Sequence, residues 1–224
     1  MKDQITGVFA GLSSHYTFLI SVNETHPGRD ELISLLMDVA SCSDRIDCRV
    51  EPGKDLSFSL WKDNSPLPVV FRAVPTGHEF TSLLLLVLNA DGKGKNLPDA
   101  ALIERINRLK GPVELKSYIS LTCTNCPDVV QSLNMLALLH PAVRHEIVDG
   151  GINQEEVERL NIQAVPTVYA NGNLLHVGRA SLGELLGKLE EQVGTETVAS
   201  EPVIREFDVV VAGGGPSGIA AAIY

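Results

Sequence analysis

Apolar positions recur along this chain in two rhythms, short β-prone runs and spacings of three and four, which predict strands and helices in turn. Tyr16–Val22 reads as a strand by composition, and Arg29–Ala40 as a helix whose Leu32, Ile33, Leu35, Leu36 and Val39 make a broad apolar face. Residues 46–50 and 56–61 are predicted strands divided by the turn-forming Pro52-Gly53. A turn over 62–66 leads to a strand over 69–74. Gly77-His78-Glu79-Phe80-Thr81-Ser82 then opens a helix from about Glu79 to Leu88. Residues 1–14 support at most a short amphipathic helix. Asp91-Gly92-Lys93-Gly94 begins a break, and the helix over 99–109 is stopped by Gly111-Pro112.

The order then repeats. Residues 113–121 are an apolar run that ends near Cys123-Thr124-Asn125-Cys126. A helical pattern follows through Val129, Val130, Leu133, Met135, Leu136 and Leu139. A strand over 143–148 comes next, then a turn at Asp149-Gly150-Gly151 and a short helix over 154–160 with acids in its first turn. Thr167–Ala170 and residues 174–177 make a hairpin around Asn171-Gly172, and Leu182–Val193 closes the pattern. Both halves read strand, helix, strand, hairpin, helix. Gly77-His78-Glu79-Phe80-Thr81-Ser82-Leu83-Leu84 in one answers to Gly178-Arg179-Ala180-Ser181-Leu182-Gly183-Glu184-Leu185 in the other. Where the second half has its cysteines, the first has only Asn23-Glu24-Thr25-His26, and no proline there answers to Pro166.

Charge and composition narrow the function classes. The formal net charge of -10 argues against nucleic acid or an anionic membrane surface as the main partner. The longest apolar run, residues 83–88, is far too short to span a bilayer. Met1-Lys2-Asp3-Gln4-Ile5-Thr6-Gly7 lacks the basic and apolar regions of a signal peptide, so a cytoplasmic location is expected. With 4 cysteines in 224 residues, a secreted disulfide scaffold is not indicated, and a Cys-x-x-Cys in the cytosol is more often catalytic.

A Cys-x-x-Cys between a strand and a helix has a redox mechanism. The helix N-terminus places partial positive charge near Cys123, lowering its pKa and raising its thiolate fraction. Cys126 can reach the same sulfur and so resolve a mixed disulfide that Cys123 has formed. Structural zinc is a competing reading, with Cys42, Cys48, His140 and His145 as the remaining ligands, and a pair of inert buried thiols is another. Val165-Pro166-Thr167 counts against both. A thioredoxin-like site packs such a proline against its cysteines, so the Val165–Pro166 bond is expected to be cis and no metal is expected. The fold class expected is α/β, two fused thioredoxin-like folds in tandem, the first without redox cysteines.

Residues 194–206 are polar and acidic and read as a linker. A buried-type strand from Phe207 then runs into Gly213-Gly214-Gly215-Pro216-Ser217-Gly218 and an alanine-rich helix start, the context in which G-x-G-x-x-G lets a pyrophosphate approach the backbone. Gly213, Gly215, Pro216, Ser217 and Gly218 are the candidate cofactor-binding residues. The sequence ends at Tyr224, before the ribose-binding acid and the rest of the sheet. A truncated Rossmann-type start of this kind is expected to bind no dinucleotide alone. The divisions are thus 1–110, 111–194, a linker over 195–206, and 207–224.

Several of these stretches together resemble one family. Tyr118 to Asn134 around the cysteines, Gly77-His78-Glu79-Phe80-Thr81-Ser82-Leu83, Asp149-Gly150-Gly151 and residues 207–224 are similar to the flavoprotein (F) component family of the alkyl hydroperoxide reductases, over essentially the whole chain. The Cys-His-Asn-Cys typical of some members stands here as Cys123-Thr124-Asn125-Cys126, a change that bears on redox potential. The resemblance implies a flavoprotein that passes electrons from NADH through FAD and a second Cys-x-x-Cys to the N-terminal pair. From there they would go to a disulfide of a peroxiredoxin, the other component of an alkyl hydroperoxide reductase. It also implies contact with the chain's own C-terminal flavin domain and a homodimer at full length. The strand before the cysteines offers Lys116, Ser117 and Tyr118 where thioredoxins keep a buried acid. The resemblance points instead to Glu79, expected to be buried within a water-bridged span of the disulfide; a plain helix cap is the competing reading. A general protein disulfide oxidoreductase of the two-thioredoxin-fold type and a non-enzymatic docking or metal-binding module remain as alternatives.

Overall fold

The computed structural model describes residues 2–94 and 97–196. The first half comprises α1 (Lys2–Phe9), β1 (Tyr16–Val22), α2 (Arg29–Ala40), β2 (Ile46–Pro52), β3 (Leu56–Lys62) and β4 (Ser65–Arg72). A 3-10 turn (Gly77–Glu79) then runs into α3 (Phe80–Ala90), and α4 (Ala100–Asn107) follows. The second half comprises β5 (Val113–Ile119), α5 (Cys126–Leu139), β6 (Val143–Asp149), α6 (Gln154–Arg159), β7 (Thr167–Ala170), β8 (Asn173–Val177) and α7 (Leu182–Val193).

β1 pairs parallel with β2 and antiparallel with β3, which pairs antiparallel with β4. β5 repeats this arrangement with β6, β7 and β8. Each half is therefore a thioredoxin-like unit with the same strand order and directions. β4 and β6 would each be a sheet edge alone; they pair in parallel from Val69 opposite His145 to Arg72 opposite Val148. The result is one eight-stranded sheet in the order β2-β1-β3-β4-β6-β5-β7-β8, in which two bare edges have been removed. Arg72 reinforces the seam. From the first half, its guanidinium donates to Glu146 at 3.1 Å, Glu156 at 2.6 Å and Asn153 at 2.6 Å in the second. Phe58 packs edge-on to Phe18 and stacks on Phe71 at 4.9 Å, tying β1, β3 and β4 into the core.

Most elements lie where the apolar pattern puts them, and the differences have local causes. β4 begins at Ser65 instead of 69 because Asp63 and Asn64 both take left-handed φ (47° and 65°), which closes a tight two-residue reversal. Pro66 is accommodated opposite Trp61, beside a register shift between Ser59 and Trp61. The Pro52-Gly53 turn does not fold β2 back on β3; the two strands flank β1 from opposite sides. Asn171 and Gly172 take the positive φ (50° and 77°) that the β7–β8 hairpin requires. Helix α4 starts one residue later than predicted, with Asp99 as N-cap accepting from the Leu102 N–H at 2.8 Å. Thr195 and Glu196, predicted as the start of a linker, are tied back to the first half. Thr195 bridges Leu109, and the Glu196 N–H donates to the Arg108 carbonyl at 2.7 Å. The rest of the predicted linker and the strand-turn-helix from 207 lie outside the described residues. No helix among the described residues is long and apolar enough to cross a membrane.

Candidate active site

The two cysteines stand where β5 gives way to α5. The strand ends at Ile119, Ser120 to Asn125 form the connection, and Cys126 is the first residue of the helix, with Pro127 in its first turn. Cys123 and Cys126 are joined as a disulfide. Cys123 is partly exposed, whereas Cys126 is 0% exposed. The Cys126 N–H donates to the Cys123 sulfur at 3.1 Å. The helix terminus thus presents both a free donor and partial positive charge to the outer sulfur.

Across from the pair lies the entry to β7. The Val165–Pro166 peptide is cis, Pro166 is buried, and the Val165 carbonyl oxygen is 3.8 Å from the Cys123 sulfur. A second cis bond, Gly111–Pro112, sits ahead of β5 and has no counterpart in the sequence reading.

Glu79 comes to this region from the other half. Its 3-10 turn packs against α5, and the His78 N–H donates to the Leu121 carbonyl, two residues before Cys123, at 3.4 Å. Gly77 permits that approach: its φ is +56°, and an added Cβ would stand 2.8 Å from the same carbonyl oxygen. Glu79 is 0% exposed, and neither carboxylate oxygen has a hydrogen-bond partner. Burial pushes the carboxyl up to about 7, a rise that the nearby Ser82 hydroxyl moderates while falling short of hydrogen-bond geometry. Glu79 occupies the N-cap position of α3, yet its side chain makes no capping bond. The helix-cap reading therefore lacks the contact it needs.

β5 itself carries no acid toward the cysteines, and its buried polar group is Ser117. Ser117 Oγ lies 2.8 Å from His145 Nε2, and His145 Nδ1 lies 2.7 Å from Asn134 Oδ1, linking β5, β6 and α5 inside the core. Burial holds the imidazole far below its ordinary range, at about 3. From the sequence His145 stands out only as a possible zinc ligand, and Asn134 and Ser82 have no assigned role. A serine or asparagine on the otherwise apolar face of a helix is the available signal.

The remaining zinc candidates are dispersed. Cys42 is buried against the Asp38 carbonyl, Cys48 lies on β2, and His140 is within 3.1 Å of the Leu109 carbonyl. Burial pushes the Cys48 thiol up to about 11, which suppresses its thiolate. Among the described residues, no group of three or more His, Cys, Asp or Glu side chains is placed to hold a metal ion. Gly213, Gly215, Pro216, Ser217 and Gly218 lie outside the described residues.

A family model described as a thioredoxin domain matches residues 113–191. The chain is 38% identical over 227 residues to the F component of alkyl hydroperoxide reductase from Pseudomonas aeruginosa, covering 100% of this chain and 43% of that protein. It is 40% identical over 226 residues to a Bacillus subtilis protein named NADH dehydrogenase, with the same coverage on both sides. The chain thus spans less than half the length of these curated relatives. Among solved structures, the NTD_N/C domain of alkylhydroperoxide reductase AhpF from Enterococcus faecalis is similar at TM-score 0.77 and 26% identity, covering 84% of this chain and 97% of that one. In sequence along its whole length, and in fold across both halves, the chain matches the N-terminal part of AhpF, the F component of alkyl hydroperoxide reductase.

Proposed function

We propose that this chain is the disulfide-reductase module of a flavoprotein and passes electrons to a peroxiredoxin disulfide by thiol–disulfide exchange. The observation that carries the reading is the polarity of the pair, with a partly exposed Cys123 sulfur held by the Cys126 N–H and a fully buried Cys126 behind it. In the reduced form, the Cys123 thiolate attacks one sulfur of the substrate disulfide, and the other substrate sulfur leaves as a thiolate. Cys126 then loses its proton and attacks Cys123. The internal disulfide re-forms and the second substrate thiolate is released, so two electrons have moved. Glu79 takes the Cys126 proton: it is buried on a turn that packs against α5 and is tied to the cysteine loop through His78 and Leu121, and burial pushes its carboxyl up to about 7. The Val165 carbonyl and the buried Pro166 form the wall along which the substrate backbone lies.

In this reading, residues 1–110 are a unit without redox cysteines that contributes Glu79, and residues 111–194 are the redox unit. The segment from 207 begins a flavin domain, reached by a linker that starts beyond Thr195 and Glu196, which are tied to Leu109 and Arg108. FAD and NADH serve the full-length protein, supplying hydride-derived electrons that reach Cys123–Cys126 through a further dithiol. The full-length protein works in the cytoplasm as a homodimer. The test is electron transfer from the reduced chain to a purified peroxiredoxin, the peroxide-reducing component of an alkyl hydroperoxide reductase. Stoichiometric reduction supports the reading, and a dithiol that reduces small disulfides but not this protein overturns the partner assignment.

A further inference from the structure

Ser82 follows Glu79 by one turn, on the same buried face where α3 meets α5, and is itself 0% exposed. From α5, Gln131 reaches across that interface, and its amide N–H donates to Ser82 Oγ at 3.2 Å. Gln131 is half-buried and lines a cleft with Asn89, Asp128 and Ser181. Ser82 thus accepts a bond from outside, which leaves its own O–H free to donate, and the unpartnered Glu79 carboxylate lies beside it. We propose that Ser82, held by Gln131, is the positioning residue of Glu79, its hydroxyl turning to the carboxylate as Glu79 ionises and so setting how readily Glu79 takes the Cys126 proton. The inference rests on the role given to Glu79 above.

The other titratable groups around Glu79 do not compete for this part. His78 shares its turn, and α5 brings Cys126 and the exposed Asp128, which is paired with Arg179 at 2.8 Å. Across the cleft lined by Gly77 and Phe80, α1 and α2 bring the exposed Lys2–Asp38 pair. The rise at Glu79 comes from its burial, and Ser82 opposes it.

The test uses the reduced chain and the aromatic disulfide 5,5'-dithiobis(2-nitrobenzoate). Cys123 releases one thiolate on forming the mixed disulfide, and Cys126 releases the second on resolving it, so the second phase reads deprotonation of Cys126. Its rate is followed from about pH 5 to about pH 9, spanning the range where an acid–base group near neutrality acts. Ser82→Ala should move the midpoint of this profile up by about one pH unit, the scale of one hydrogen bond to a charged acceptor. Gln131→Leu should move it the same way by less, and Ser82→Thr should restore it. A Ser82→Ala profile that keeps its midpoint, whether unchanged or uniformly slower, overturns the inference if Glu79→Gln abolishes the midpoint. A profile unmoved by Glu79→Gln overturns the role of Glu79 and the inference with it.

Discussion

Cys123 and Cys126 differ in the one respect that matters for exchange: a substrate can reach the first and not the second. Iodoacetamide at mildly acidic pH should therefore label Cys123 of the reduced protein first. Cys126→Ser should accumulate a mixed disulfide with the substrate, whereas Cys123→Ser should form none; trapping by the latter would reverse the roles. Glu79 makes a separate prediction through its protonation. Its carboxyl titrates at about 7 in the fold against an ordinary 4.5, so the fold favours the neutral form. The stability it contributes is fully present below pH 4.5 and is lost as pH rises to about 7. Glu79→Gln removes that loss and should stabilise the protein at pH 8 by on the order of 1–3 kcal/mol, with little change at pH 4. The same variant should slow turnover by about 10- to 100-fold. A helix cap would show the opposite stability effect, so denaturant unfolding at the two pH values decides between them.

Among the elements, the seating of the 3-10 turn and α5 governs the site. Gly77→Ala combines an unfavourable φ of +56° with a Cβ placed 2.8 Å from the Leu121 carbonyl. It should cost about 1–3 kcal/mol in unfolding free energy and should slow exchange as well, because the turn bearing Glu79 must move off the cysteine loop. The Ser117–His145–Asn134 chain fixes α5 to β5 and β6 from inside. Its imidazole is held neutral, at about 3 against an ordinary 6.5. That stability is complete above pH 6.5 and is lost as pH falls toward 3. His145→Gln should flatten this acid-side decline in a urea titration series; an unchanged decline would assign it to other groups.

Across the molecule, the seam between the halves is both a sheet junction and a charged network. Burial alone would raise Glu156, yet hydrogen bonds from Tyr118, Lys116 and Arg72 hold it down to about 2. Arg72→Ala leaves that half-buried carboxylate short of a partner and should destabilise the protein by about 1–3 kcal/mol. Residues 111–196 expressed alone would expose the β6 edge that β4 covers. That piece should self-associate or unfold at lower denaturant than the parent chain. A monomer of undiminished stability would show the first half to be dispensable for folding, leaving Glu79 as its contribution.

Short-range chemistry encodes the elements and the place of the redox pair. The strands and helices follow from apolar spacing, the β7–β8 hairpin from Asn171-Gly172, and the position of the cysteines from a strand running into a helix. The repeat of element order is legible for the same reason, and it carries the thioredoxin-like reading of both halves. Asp63-Asn64 marks the limit of that kind of inference, since a reversal without glycine is hard to tell from a longer turn, and the start of β4 is misplaced by it. Long-range contacts alone settle that β2 and β3 flank β1 and that β4 joins β6. They also settle that Ser117, His145 and Asn134 meet in the core, and that Ser82 receives Gln131 beside an unpartnered Glu79. Each of these depends on the packing of separate elements, within a half or between the two, and their energy comes from burial and paired polar groups that exist only once those elements have come together.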